Sequence, residues 1–180
     1  KTRLPITLFF NEQKNNLTLL DQSKIPYEVK SWVTNDWKEA ATKGIKGMII
    51  RGSQAIGVAG AYCMVLAVNS IDVTEINQAK KILFSRANEI KESRPTAVNL
   101  AWAINRILEK IGKSELNNSR DLKDIVIETA NQIFIEDLIL NNYLRKNGIK
   151  SFKSGDVVLT HCNAGSLATT YGGSALSILS

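Results

Sequence analysis

Cysteine, histidine and long apolar runs are nearly missing from this sequence. Its 180 residues hold two cysteines, Cys63 and Cys162, and one histidine, His161. Two thiols this far apart form no metal-type spacing, so neither a metal site nor a redox cofactor is expected. Such sparing use of cysteine suits a reducing cytosol, and a cytoplasmic location is expected without other compartments being excluded. The longest nearly apolar run, Ala55 to Val68, is too short to span a bilayer and reads as a buried helix. "KTRLPITLFF" begins basic but has neither a long apolar region nor a small-residue cleavage site, so no signal peptide is read there. No Walker-type loop, internal repeat or low-complexity tract occurs. The net charge is +6, yet the lysines are scattered. Lys80-Lys81 and Arg145-Lys146 lack the aromatic interleaving of a single-strand binder, so no nucleic-acid or membrane partner is expected.

What is present is an ordinary globular composition, 44% hydrophobic and 22% charged, able to build a substantial core. "PITLFF" and "LTLL" flank the polar "NEQKNN" as a hairpin, and "KIPYEVKSWVT" continues extended, with Pro26 against helix. Thr34 or Asn35 can cap a helix from about Asp36 through "WKEAATKGIKGM". In "IIRGSQAIGVAGAYCMVLAV" (49–68), Gly52 breaks the chain, Ser53 is a good cap, and a core helix follows. Its glycines and alanines make sense where other backbones approach closely. "VTEINQAKKILFSRANEIKES" reads as an amphipathic helix. "SRPTAVNLAWAINRILEKIGK" reads as another, with Val98, Ala101, Trp102, Asn105 and Leu108 on one broad face. The longest helix spans about 120–146, with Leu122, Val126, Ala130 and Ile133 among its repeating apolar positions. Then "GDVVL" (155–159) reads as a buried strand and "SLATTYGGSALSILS" as a helix. A lone βα unit cannot bury both faces of its strand, so a sheet continuing beyond Ser180 is favoured.

Cys162 lies after the expected strand and before a helix, where ligands bind in open α/β sheets. Helix amides there can favour a thiolate or hold a phosphate, or the residue is simply a small side chain in a tight turn. His161 beside it points the other way in an extended chain, which argues against a cysteine–histidine pair. Arg51 and Arg94 each stand immediately before a helix start. A guanidinium plus free backbone amides makes a phosphate cradle, although either arginine alone could pair with a surface carboxylate.

Together "IIRGSQAIGVAGAY", "SRPTAVNLAWAI" and "GDVVLTHCNAGSLAT" resemble the methylthioribose-1-phosphate isomerase family, in that family's order, from about Leu17 onward. Its superfamily includes ribose-1,5-bisphosphate isomerases and the regulatory subunits of translation initiation factor 2B. The resemblance implies an α/β protein of two domains. Residues 1–150 would be a small β plus helical N-terminal domain, and 151–180 the start of a Rossmann-like catalytic domain. By motif, Arg51, Gly52, Ser53 and Arg94 would bind the sugar phosphate and Cys162 would be one of two acid/base residues. The second, an aspartate, belongs to a later part of the family's chain, so an incomplete and inactive chain is expected here. Ser53-Gln54 replaces the family's usual Ala-Pro. The implied reaction converts 5-methylthioribose 1-phosphate to 5-methylthioribulose 1-phosphate in methionine salvage, by a homodimer when complete. The rivals are ribose-1,5-bisphosphate isomerisation and a non-catalytic initiation-factor role.

Overall fold

A computed structural model describes residues 6–179. The start of the expected first strand at Pro5 and the final Ser180 lie outside the described residues. A three-stranded antiparallel sheet, β1 (Leu8–Asn11), β2 (Asn16–Leu20) and β3 (Ser31–Thr34), is ordered β1-β2-β3. The expected hairpin forms with Leu8 opposite Leu19 and Asn11 opposite Asn16. Asn15 takes a positive φ of 46° at the turn, a conformation asparagine tolerates better than most residues. Leu8, Leu17 and Leu19 face the helices and are buried.

The helix after the sheet is not regular. Helix α1 (Trp37–Glu39) continues as a π-helical stretch, Ala40–Lys46. Its cap is Asp36, whose carboxylate accepts from Glu39 N at 2.7 Å, rather than the expected Thr34 or Asn35. Thr34 instead donates its hydroxyl to Glu39 at 2.6 Å.

Helix α2 (Ser53–Asn69) is the axis of the molecule, buried from Ala55 through Val68. Around it pack α3 (Ile76–Glu92), α4 (Val98–Lys113) and α5 (Ser119–Gly148). The small residues of α2 serve the close approach that their composition suggested. A Cβ on Gly57 would stand 2.9 Å from Asn99 O, and one on Gly60 would stand 2.3 Å from Leu100 Cδ1. Cys63 is a buried core residue whose thiol donates to Trp37 O at 3.0 Å.

Three further sequence expectations are corrected by the structure. The buried face of α4 is Leu100, Ala103, Ile104, Ile107 and Ile111, while Val98, Trp102 and Asn105 are exposed. The gap left by Gly57 and Gly60 is filled by Leu100 and the Asn99 backbone. Nor do residues 155–159 form a strand: no ladder pairs them, and Val157 and Leu159 are exposed. A strand needs a hydrogen-bonded neighbour, and the described residues offer none. The helix expected over 166–180 is replaced by two 3-10 turns, Ser166–Ala168 and Ala175–Leu179. Among the described residues no helix is long and apolar enough to cross a membrane.

Candidate functional site

The residues singled out by sequence converge. Arg51, Gly52, Ser53, Arg94 and Cys162 all line one cavity of about 520 Å³, with His161 beside them. Each wall has its own origin. The loop after the π-helical stretch brings in Arg51 and Gly52, then α2 begins. The turn after α3 brings in Arg94, then α4 begins. The 3-10 segment near the end of the described chain brings in Cys162, Asn163, Ala164 and Ala168.

The helix ends facing this cavity differ from the others. Helices α1, α3 and α5 are closed by side chains, those of Asp36, Glu75 and Asn118. Helices α2 and α4 begin after Gly52 and Ala97 with no side-chain cap. The leading amides of a helix have no intrahelical acceptor and carry the positive end of its dipole. Ser53, expected as the cap of α2, is its first helical residue, and its Oγ accepts from Asn99 Nδ2 at 3.1 Å. That bond ties the two uncapped ends together.

Both arginines are free of carboxylates. Arg51 donates from Nε to Met48 O at 3.2 Å, and its terminal nitrogens form no hydrogen bond or ion pair among the described residues. Arg94 forms no side-chain hydrogen bond or ion pair among the described residues, and its Nη1 is buried without a partner there. Leaving a buried charged donor unmade is expensive, so such a group implies an acceptor of complementary charge. Arg106, by contrast, is held by both carboxylate oxygens of Glu136 and lies 5.5 Å from the Trp102 ring centroid.

Gly52 has extended backbone angles (φ −67°, ψ 140°), so any residue could adopt its conformation. Space is what demands glycine: a Cβ there would lie 2.1 Å from Ala168 Cα. The 3-10 segment therefore passes directly over the start of α2. Cys162 is exposed, un-bridged and held at φ 64°. That left-handed conformation costs a non-glycine residue about 1–2 kcal/mol. Among the described residues no hydrogen bond joins Cys162 to His161, and the positive φ of Cys162 means that the segment is not the extended one on which their divergence was expected.

Sequence reasoning missed Thr96, Asn99 and Ser174, which also line the cavity. Asn99 could have been found from its place three residues beyond Thr96, in the first turn of α4. The missed clamp on the 3-10 segment had no local signal. Thr7 Oγ1 donates to Ser166 O and Gln22 Nε2 to Leu167 O, each at 2.9 Å and each across almost the whole chain.

A larger cavity, about 650 Å³, lies between α4 and α5 and is mostly apolar, with Trp102, Leu140 and Tyr143 on its walls. Its two acidic residues, Glu136 and Asp137, are already occupied by Arg106 and by Thr170 with Asn141. Unpartnered charge makes the smaller cavity the candidate site.

Known proteins similar to this chain are of two kinds. The chain is 40% identical over 163 residues to a methylthioribose-1-phosphate isomerase of Pelotomaculum thermopropionicum, covering 91% of this chain and 44% of that protein. A second such isomerase, from Thermotoga neapolitana, is 40% identical over 169 residues, covering 92% of this chain and 46% of its own. The chain thus spans about half the length of the curated relatives it matches. The crystal structure of 5-methylthioribose 1-phosphate isomerase from Pyrococcus horikoshii superposes with a TM-score of 0.90 at 30% identity, over 99% of this chain and 49% of that one. Translation initiation factor eIF-2B, subunit delta, from A. fulgidus superposes at 0.82 with 32% identity, over 99% and 50%. These neighbours bear out the expected α/β class. The family model that matches residues 49–180 runs from the loop carrying Arg51 through the segment carrying Cys162. Every element of the cradle falls inside that match, and the chain belongs to the initiation factor 2 subunit family.

Proposed function

We propose that the cleft binds the phosphate of a sugar phosphate, and that the chain contributes this site to an aldose–ketose isomerase. The substrate on this reading is 5-methylthioribose 1-phosphate and the product 5-methylthioribulose 1-phosphate. One observation carries it: the two arginines without carboxylate partners each precede an uncapped helix, and both helices open on the cavity that holds Cys162. A dianionic phosphate would receive charge-assisted hydrogen bonds from Arg51 and Arg94 and amide donors from the starts of α2 and α4. The names of the relatives choose the sugar.

In the reaction the ring oxygen gains a proton, the 2-hydroxyl loses one, and the hydrogen on C2 transfers to C1. Cys162, exposed on the cleft wall, is positioned to exchange one of those protons. On this reading residues 1–150 form the phosphate-binding domain and 151–180 open a Rossmann-like domain. These 180 residues then supply the cradle and an acid/base group. A cytoplasmic homodimer acting on a small molecule, without metal or cofactor, completes the proposal.

The test offers methylthioribose 1-phosphate and ribose 1,5-bisphosphate side by side to the full product of the gene. Turnover of the methylthio sugar that Cys162→Ser abolishes is the expected result. Turnover of the bisphosphate alone would transfer the assignment to that substrate. The likeness to the initiation-factor subunit favours a second reading, a non-catalytic binding protein. Silence on both sugars, with partner subunits copurifying, would establish it.

A further inference from the structure

The wall that carries Cys162 has almost no regular structure. From Asn163 to Ser174 only one 3-10 turn is present, yet Ala168, Thr169 and Thr170 are buried. Something other than helix or sheet must hold it. Thr7 and Gln22 hold its first part, through Ser166 O and Leu167 O. The loop also closes on itself: Ser174 N and Leu176 N both donate to Ala164 O, and Gly173 N donates to Thr169 Oγ1. Thr170 itself is held from two sides: Thr7 N donates to its carbonyl at 3.1 Å, and a side chain of α5 holds its amide. Asp137 Oδ2 accepts from Thr170 N at 2.8 Å, and Asp137 Oδ1 accepts from Asn141 Nδ2 at 3.0 Å. Asn141 Nδ2 also donates to Asp137 O at 2.7 Å, which locks the asparagine one turn further along the same helix.

This cluster is deeply buried, with Asp137 8%, Asn141 3% and Thr170 0% exposed. A carboxyl group placed there forgoes water, and a neighbouring cation is the usual compensation. None of the ion pairs among the described residues includes Asp137. What the carboxyl group holds is a single backbone amide of the segment over the cleft. A residue needed only for packing on α5 would be apolar, as Ile133 is one turn earlier. The chemistry at 137 matches the loop and not the helix.

We infer that Asp137 is a positioning residue for the cleft. Through the Thr170 amide and the loop that closes on Ala164, it fixes Cys162 and the Ala168 backbone relative to Arg51 and Arg94. The inference rests on the phosphate reading of that cleft. It predicts that cutting the tie loosens the wall while leaving the α2-centred core intact, because Asp137 lies outside that apolar cluster.

The experiment measures alkylation of Cys162 by iodoacetamide as inorganic phosphate is titrated in, for the wild type, Asp137→Ala and Asp137→Asn. In the wild type, phosphate bound between the arginines slows the reaction. In Asp137→Ala the phosphate concentration for half-protection rises by about tenfold or more, the worth of a charge-assisted hydrogen bond, while the helical circular dichroism stays at the wild-type level. Asp137→Asn keeps an oxygen for the Thr170 amide and restores protection to within about threefold. Unchanged half-protection in Asp137→Ala would overturn the inference alone. Loss of helical signal in Asp137→Ala, or no rescue by Asp137→Asn, would make the residue a general structural requirement and overturn it too. A wild type that phosphate does not protect would remove the phosphate reading, and this inference with it.

Discussion

Replacing Gly52 by alanine tests the close approach on which the cleft depends. The added methyl carbon would lie 2.1 Å from Ala168 Cα and 2.5 Å from both Ala168 C and O. Ordinary contact begins at 3.4 Å, and the opposing atoms are backbone, so no side-chain rotation relieves the overlap. The 3-10 segment must back away by more than an ångström, or the start of α2 must. Either movement strains the bonds from Thr7 and Gln22 to Ser166 O and Leu167 O. Overpacking of this kind costs about 1–3 kcal/mol. Because Gly52 already has alanine-compatible angles, the smaller entropy of the unfolded alanine chain returns roughly 0.4–1 kcal/mol. The net expectation is a loss of about 1–2 kcal/mol in urea unfolding followed by circular dichroism, together with weakened phosphate protection of Cys162. Gly112→Ala is the control, since nothing lies within 4 Å of its would-be Cβ. There helix propensity alone acts and should stabilise by roughly 0.5–1 kcal/mol. If Gly52→Ala unfolds like the wild type and protects Cys162 equally well, the argument from backbone contact is wrong.

Three further outcomes follow from the packing and the charges. Burial pushes the Cys63 thiol far above its ordinary range, so mass spectrometry after native alkylation should find one adduct, at Cys162, with Cys63 reacting only in denaturant. Leu100→Ala should cost about 2–5 kcal/mol. Adding Gly60→Ala, harmful alone, should then recover part of that loss because the 2.3 Å clash with Leu100 Cδ1 is gone, which a double-mutant cycle in urea would read. The hydrogen bonds from Arg106 hold Glu136 below its ordinary value of 4.5. A folded-state pKa lowered in this way gives stability that is full above 4.5 and lost as pH falls through the lowered value. Since both side chains are partly exposed, Glu136→Gln should cost only about 0.2–1 kcal/mol at neutral pH, and the difference should vanish in acid titrations.

The hairpin and helices α2, α3 and α5 were legible because their apolar spacing and turn residues agree with the final packing. Helix α4 was legible as a helix but not in its facing. "VNLAWAINRIL" offers apolar residues on two sides, and the one chosen is set by a different helix, where Gly57 and Gly60 lie against Asn99 and Leu100. The strand read at 155–159 failed because apolar alternation records a tendency to be buried, and burial needs a neighbour that the described residues do not supply. In the site, Arg51, Arg94 and Cys162 stood out through their local contexts, an arginine before a helix and a thiol at a turn. Their local contexts alone did not bring them together; the family resemblance implied one site, and the structure lines one cavity with all three. The polar residues that set the wall, Thr7, Gln22 and Asp137, are isolated in sequence and bond to partners far away, so no periodicity or motif announces them.

The bond from Thr7 to Ser166 spans 159 positions, and that from Gln22 to Leu167 spans 145. Closing a loop of that length opposes folding by on the order of 4 kcal/mol of chain entropy, whereas the helical contacts around α2 close much shorter loops. With these long-range bonds and little regular structure, the wall of the cleft is expected to open more readily than the α2 core. Amide exchange at Thr170 should outpace exchange in the middle of α2 under native conditions, and a ligand bridging the arginines to that wall should slow it. If the cleft binds phosphate as proposed, occupancy would close the wall onto the core, so that a ligand would take the part of a contact within the chain itself.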